Sequence, residues 1–161
     1  MKRRTLLLAA ALAAAGFAQA QSKPTTADLG AYAGADREQK LAEGAKKEGE
    51  LNIYTSAQSD DMGALVKAFE AKYGIKVDVW RSSSEKVLQR FVTESRSSKH
   101  TMDVAETNGP ELEAMTREKL TVAVKSPYLS DLIAPAIQKH GEWVGTRLNV
   151  FTLRRRDLAG L

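Results

Sequence analysis

Leu51-Asn52-Ile53-Tyr54-Thr55, then Met62, Leu65, Val66, Phe69 and Tyr73 ahead of Gly74, then Ile75-Lys76-Val77-Asp78-Val79-Trp80: this stretch decides the fold. The first run is short, rich in β-formers and closed by the polar loop 56–59, which reads as a strand. The next five apolar residues recur at i, i+3, i+4, i+7 and i+11, the period of one helical face, and Gly74 stands where a helix stops in the left-handed conformation. Ile75, Val77 and Val79 alternate with Lys76, Asp78 and Trp80, so the period drops to two and the chain returns as a strand. Strand, helix and strand within about 30 residues make a βαβ unit, whose crossover is right-handed in nearly all cases.

The same alternation extends downstream. Ser82, Ser83 and Ser84 lead into a helix with Val87, Leu88, Phe91 and Val92 on one side, and Ser82 with Glu85 has capping-box spacing. A strand centred on Asp103-Val104-Ala105 follows. Asn108-Gly109-Pro110 then opens a helix striped by Leu112 and Met115, with the proline in the first turn, where its missing N–H is harmless. Leu120, Val122 and Val124 predict a further strand, residues 127–139 a helix or two turns interrupted at Pro135, and residues 143–153 a long closing strand. Upstream, Asp36 and Gln39 have capping-box spacing before the short stripe Leu41, Ala42 and Ala45, while residues 21–35 are small, polar and unpatterned and read as a mobile leader. Alternating β and α elements predict an α/β fold with a doubly wound, mostly parallel sheet.

In such folds ligands bind outside the carboxyl ends of the strands, where loops meet helix N-termini. Three loops qualify: 55–59, 81–84 and 107–109. Thr55, Ser56, Gln58, Ser83, Ser84, Thr107 and Asn108 are the candidate ligand-binding residues among them, because hydroxyls, amides and free helix-terminal N–H groups suit an anion or oxyanion. The same residue types are ordinary helix caps, and one loop alone does not separate the two roles. Asp60 and Asp61 open a helix, where acids interact with the helix dipole. His100 and His140 lack metal-ligand spacing, and no phosphate loop, nucleophile elbow or paired-histidine motif is present. A protein that is not an enzyme and carries no resident cofactor is expected. Trp80 and Trp143 read as core packing, with flooring of a ligand pocket as the alternative.

Lys2, Arg3 and Arg4, an apolar run over residues 6–17 and Ala18-Gln19-Ala20 follow the order of a secretory signal peptide, with cleavage expected before Gln21. The run is shorter than the about 20 apolar residues a bilayer span needs. Removing residues 1–20 takes three of the 24 Lys and Arg and none of the 20 Asp and Glu, so the net charge falls from +4 to +1. Arg154, Arg155 and Arg156 sit together near the end of the sequence, so the basic character is an end effect and gives no nucleic-acid footprint. No cysteine is present, which excludes disulfides and thiolate metal sites. A soluble mature protein is expected after export, the missing cysteines are compatible with a periplasmic location, and a monomer is the expected state.

With these residues in hand, the sequence resembles the start of a bacterial extracellular solute-binding protein of an ABC importer, of the iron(III)-binding type. The likeness runs from about residue 41 to 151. It rests on Leu51 to Ser56, on Phe69-Glu70-Ala71-Lys72-Tyr73-Gly74-Ile75-Lys76-Val77, on Trp80-Arg81-Ser82-Ser83-Ser84-Glu85-Lys86-Val87, on Glu106-Thr107-Asn108-Gly109-Pro110-Glu111, and on Gly141-Glu142-Trp143-Val144-Gly145-Thr146-Arg147-Leu148-Asn149-Val150-Phe151. The resemblance implies a two-lobed protein that closes on a small solute or a metal–anion complex and delivers it to a permease in the inner membrane. Fe(III) is then a possible transported ligand. Members that bind iron take a His after the first strand and a Glu after the third; here those places hold Gln58 and Asn108, which supply no negative charge. Arg147 falls where similar proteins place an Arg that meets a bound anion, and a surface strand Arg paired with a local carboxylate is the equal alternative.

The resemblance divides the chain into a signal peptide (1–20), a leader (21–35), the first lobe (36–151) and a basic tail (152–161) that departs from the family pattern. Two lobes of about 100–150 residues each need roughly twice this length. A truncated form with half a binding site, arising from a frameshift or premature stop, is therefore expected. The competing expectation is an inert product or an exported interaction domain.

Overall fold

The computed structural model describes residues 26–148. The export segment, the first part of the leader, the far end of the expected closing strand and the basic tail lie outside the described residues.

β1 (Glu50–Thr55) is the central strand of a three-stranded parallel sheet of order β2-β1-β3. It pairs with β2 (Lys76–Arg81) over its whole length, from Glu50 opposite Lys76 to Thr55 opposite Arg81, and with β3 (Val104–Glu106) over its last three residues. Between β1 and β2 lies α3 (Ser59–Tyr73), and Gly74 closes it at φ 67°, a left-handed position that a β-carbon would strain. α4 (Ser84–Arg96) leads to β3, and α5 (Gly109–Arg117) leaves it with Pro110 in its first turn.

Successive residues of a strand point to opposite faces. Val79 accordingly lines a shallow gap together with Met62 and Val66 of α3, while Trp80 packs with Tyr54 against Val87 of α4 and Leu112 and Met115 of α5. Helices thus cover both faces, as a doubly wound sheet requires. The two faces are unequal, however. Val87 and Met115 are fully buried, whereas α3 buries only Met62 and leaves Leu65 62% exposed. Beside the core, the guanidinium of Arg90 lies 4.4 Å from the ring centroids of both Tyr54 and Trp80, a cation–π contact with each. Arg90 Nε donates to Glu94 Oε1 at 2.7 Å, and the Tyr54 hydroxyl donates to the same carboxylate. Burial raises the Glu94 pKa, but the hydrogen bonds from Arg90 and Tyr54 outweigh it and hold the carboxyl below its ordinary range.

Several local expectations are corrected. Part of the leader is helical: α1 (Thr26–Ala31) sets Gly30 against the backbone of Lys125, where a β-carbon would lie 2.7 Å from the carbonyl oxygen. Arg37 Nη2 donates to the Gly30 carbonyl, and its guanidinium lies over the ring of Tyr128. α2 (Arg37–Glu48) forms, but the capping box does not, because the Asp36 carboxylate is taken by Tyr32 and Lys40 and Gln39 turns to Glu43. Likewise the cap of α4 is Ser83, one residue later than the capping-box spacing of Ser82 and Glu85 predicts.

Leu120, Val122 and Val124 do not form a strand. Leu120 turns back onto the core with its N–H on the Met115 carbonyl, Val122 is 76% exposed, and the Val124 N–H alone reaches a distant backbone, the Gly141 carbonyl at 2.7 Å, so no ladder forms. Over residues 127–139, where a helix or two turns are expected, the two turns form: the 3₁₀ segments Pro127–Asp131 and Ala134–Ala136. Of the closing strand, the described residues carry one antiparallel bridge, Ile137 to Val144.

Met115→Ala should lower the unfolding free energy by about 2–5 kcal/mol in urea titration, whereas Leu65→Ala, at an exposed position, should change it by about 0.5 kcal/mol or less. The depressed Glu94 carboxyl adds stability that is present above its ordinary pKa of 4.5 and is lost as the pH falls through the folded value. Between about pH 5 and pH 3, therefore, the melting temperature of Glu94→Gln should fall less steeply than that of the parent chain, and parallel curves would count against the assignment.

Candidate functional site

Because all three strands are parallel, their carboxyl ends lie at one edge of the sheet, and the loops that open α3, α4 and α5 leave from that edge. There the loops enclose a solvent-open cavity of about 680 Å³. Ser56 lines it from the β1 loop, residues 81–85 from the β2 loop and the start of α4, and Asn108 and Glu111 from the start of α5.

The cap residues of these helices do not use their side chains as caps. Gln58, Ser83 and Asn108 stand at the N-caps of α3, α4 and α5 in extended conformation, and none makes a side-chain capping bond. Asn108 Nδ2 instead donates to Ser84 Oγ at 2.8 Å, joining α5 to α4 across the cavity wall. Ser56 Oγ and Glu111 Oε2 are buried without a hydrogen-bond partner in the protein. Polar atoms left unsatisfied and closed to solvent cost free energy.

Behind the cavity a second network holds the loop in place. Thr55, fully buried, donates its hydroxyl to Glu106 Oε2 at 2.5 Å and accepts from the Ala57 N–H at 2.9 Å. The same N–H lies 3.1 Å from Glu106 Oε2, and the Ser56 N–H donates to the Glu106 carbonyl. Arg81 Nε donates to the Ala57 carbonyl, and Arg81 Nη2 to Gln58 Oε1 at 3.4 Å. The β1 loop is thereby tied to both flanking strands.

Of the candidate ligand-binding residues, Ser56, Ser83, Ser84 and Asn108 come together on the cavity wall. Thr55, Gln58, Thr107 and Arg147 do not line it. Thr55 and Gln58 belong to the loop anchor, and Thr107 is buried with its hydroxyl unpartnered in the protein. Arg147 Nη2 pairs with Glu106 Oε1 at 3.2 Å, so its charge is met by a neighbouring carboxylate. Arg81, Ser82, Glu85 and Glu111 were not among the candidates although they line the cavity. Glu85 and Glu111 carry the one available signal, first-turn acids directly after two of the three loops, but that position reads equally well as dipole compensation.

Trp80 and Trp143 pack against the core cluster, the alternative role as a pocket floor being absent from the lining. His100 is exposed. His140 shares Glu113 Oε1 with the Trp143 indole N–H and accepts the Glu142 N–H at Nδ1. The hydrogen bond from His140 holds the Glu113 carboxyl below its ordinary range against the opposing effect of burial. Among the described residues no group of three or more His, Asp or Glu is placed to hold a metal ion.

No family model matches the chain, and no curated protein matches it. Solved structures do. Iron-bound HitA from Pseudomonas aeruginosa aligns at 22% identity and a TM-score of 0.55 over 60% of this chain and 31% of HitA. FutA (IdiA) from Trichodesmium, solved with iron and citrate, aligns at 23% and 0.53 over 60% of this chain and 31% of FutA. The ferric binding protein from Campylobacter jejuni aligns at 27% and 0.52 over 58% of this chain and 30% of that protein. The parallel sheet with flanking helices is thus the fold these binding proteins contain, and the match spans under a third of the length of each.

Removing the Thr55 hydroxyl should loosen the loop at its anchor. In Thr55→Val the Ala57 amide loses one of two acceptors, so its hydrogen exchange should accelerate about ten-fold relative to the Tyr54 amide. Unchanged protection of Ala57 would show that Glu106 alone holds the loop.

Proposed function

We propose that this chain forms a substrate-binding lobe: the cavity at the carboxyl ends of β1, β2 and β3 takes up a small polar solute for delivery to an ABC permease of the inner membrane. The observation that carries this reading is the convergence of Ser56, Ser83, Ser84 and Asn108 on one cavity, with the cap side chains free of capping bonds. Helices whose cap side chains do not serve them leave first-turn N–H groups available to a ligand. The export pattern of residues 1–20 supports a periplasmic site of action.

The cavity is open to solvent, and in this reading a further lobe supplies the opposite wall on closure. One wall alone excludes little water and makes few contacts, so weak binding follows. A second reading, transport of iron as a metal–anion complex, is favoured by the iron and citrate named for the FutA structure. Against direct ligation by this lobe stand the neutral Gln58 and Asn108 at the loop positions where the family resemblance calls for a His and a Glu.

The test is a thermal-shift titration of the chain against Fe(III)-citrate, citrate, phosphate and small amino and carboxylic acids, repeated with Ser83→Ala/Asn108→Ala. A bound solute should raise the melting temperature in proportion to the logarithm of its concentration, and the double variant should abolish the rise. A rise that survives in the double variant places binding elsewhere. No rise with any solute favours the inert or interaction-domain alternative.

A further inference from the structure

The charges around the cavity are close to balanced, and this bears on what can bind. Each helix N-terminus carries roughly half an elementary charge, so α4 and α5 together supply about one, and Arg81 adds another. Glu85 and Glu111 stand in the first turns of those same helices, both line the cavity, and neither has an ion-pair partner among the described residues. Two carboxylates therefore cancel the positive field that would otherwise draw in a simple anion such as phosphate. Glu111 Oε2 is also buried without a donor from the protein, so the carboxylate's charge is left uncompensated on that side. On the opposite side of the ledger, the serines, Asn108, the free N–H groups and Arg81 offer donors to an acceptor.

Taking the cavity to be the solute site, as proposed above, we infer that its solute is bifunctional: a protonated amine received by Glu85 and Glu111, joined to a carboxylate or comparable acceptor received by the helix N-termini and Arg81. A monoanion meets two carboxylates and a simple amine meets Arg81, so each pays in repulsion and in one unpaired end. A molecule with both groups satisfies both ends. The Glu111 carboxylate gains a charge-assisted hydrogen bond, the strongest kind available to it.

Isothermal titration of the full chain at about 0.15 M ionic strength separates the cases. The probes are β-alanine, 4-aminobutyrate and 5-aminovalerate, which vary the distance between the charges, with butyrate, butylamine and phosphate as single-charge references. The best amino acid should bind at least about ten-fold more tightly than every reference. Glu111→Gln should cost that amino acid about ten-fold while leaving butyrate binding the same or tighter. Glu85→Gln gives the same comparison at an independent position, and circular dichroism reports whether either variant is folded.

If butyrate, phosphate or butylamine binds as tightly as the amino acids and Ser83→Ala/Asn108→Ala abolishes it, the inference fails while the binding site stands. If no compound binds at about 10 mM, both fail.

Discussion

Thr55 stands in register between Arg81 on one side and Glu106 on the other, the last paired positions of three parallel strands. Everything at the cavity follows from that constraint. Parallel strands end on one side, so the loops opening three helices are forced into one neighbourhood. The buried Thr55 hydroxyl, the Glu106 carboxylate and the Ala57 N–H then hold the β1 loop against its neighbours, and Arg81 holds its carbonyl side. Antiparallel pairing would have scattered these loops to opposite ends of the sheet.

The packing beneath is lopsided. On the side of α4 and α5, Tyr54, Val87, Leu112 and Met115 form a core, and Arg90 covers it with a guanidinium stacked on two aromatic rings. Arg90 and Tyr54 both meet Glu94, so the rim of this core joins cation–π contact and hydrogen bonding in one cluster. On the side of α3 the cover is thin, and Leu65 and Val104 remain exposed. The loops of α4 and α5 consequently rest on the better-packed side, which gives the cavity wall formed by Ser83, Ser84 and Asn108 its firmest support.

At the cavity, polar side chains depart from their commonest local use. Ser83 and Asn108 occupy N-caps without capping, and Asn108 bonds across to Ser84. Arg147 does the reverse: a residue that the family resemblance assigns to an anion is engaged by Glu106 behind the wall. The Arg147 charge is thereby met outside the cavity lining, while Glu85 and Glu111 bring negative charge to that lining. If the cavity is the solute site proposed above, the balance of these charges, more than the count of donors, sets which solutes it accepts.

The sequence by itself determined the order of elements. A period near 3.6 over residues 62–73, a period of two over residues 75–80 and Gly74 between them are local signals, and local backbone preference is enough to honour them. It also placed Ser56, Ser83, Ser84 and Asn108 at the right edge, because strand ends and helix starts can be read in one dimension. The same alternation in Leu120, Val122 and Val124 misled, since a strand exists only where another backbone completes its hydrogen bonds. Tertiary structure alone decided that Arg147 meets Glu106, that Thr55 and Gln58 anchor the loop instead of lining the cavity, and that Glu85 and Glu111 share its wall. Those pairings join residues far apart in the chain, and electrostatic contact depends on distance in space, which no periodicity records.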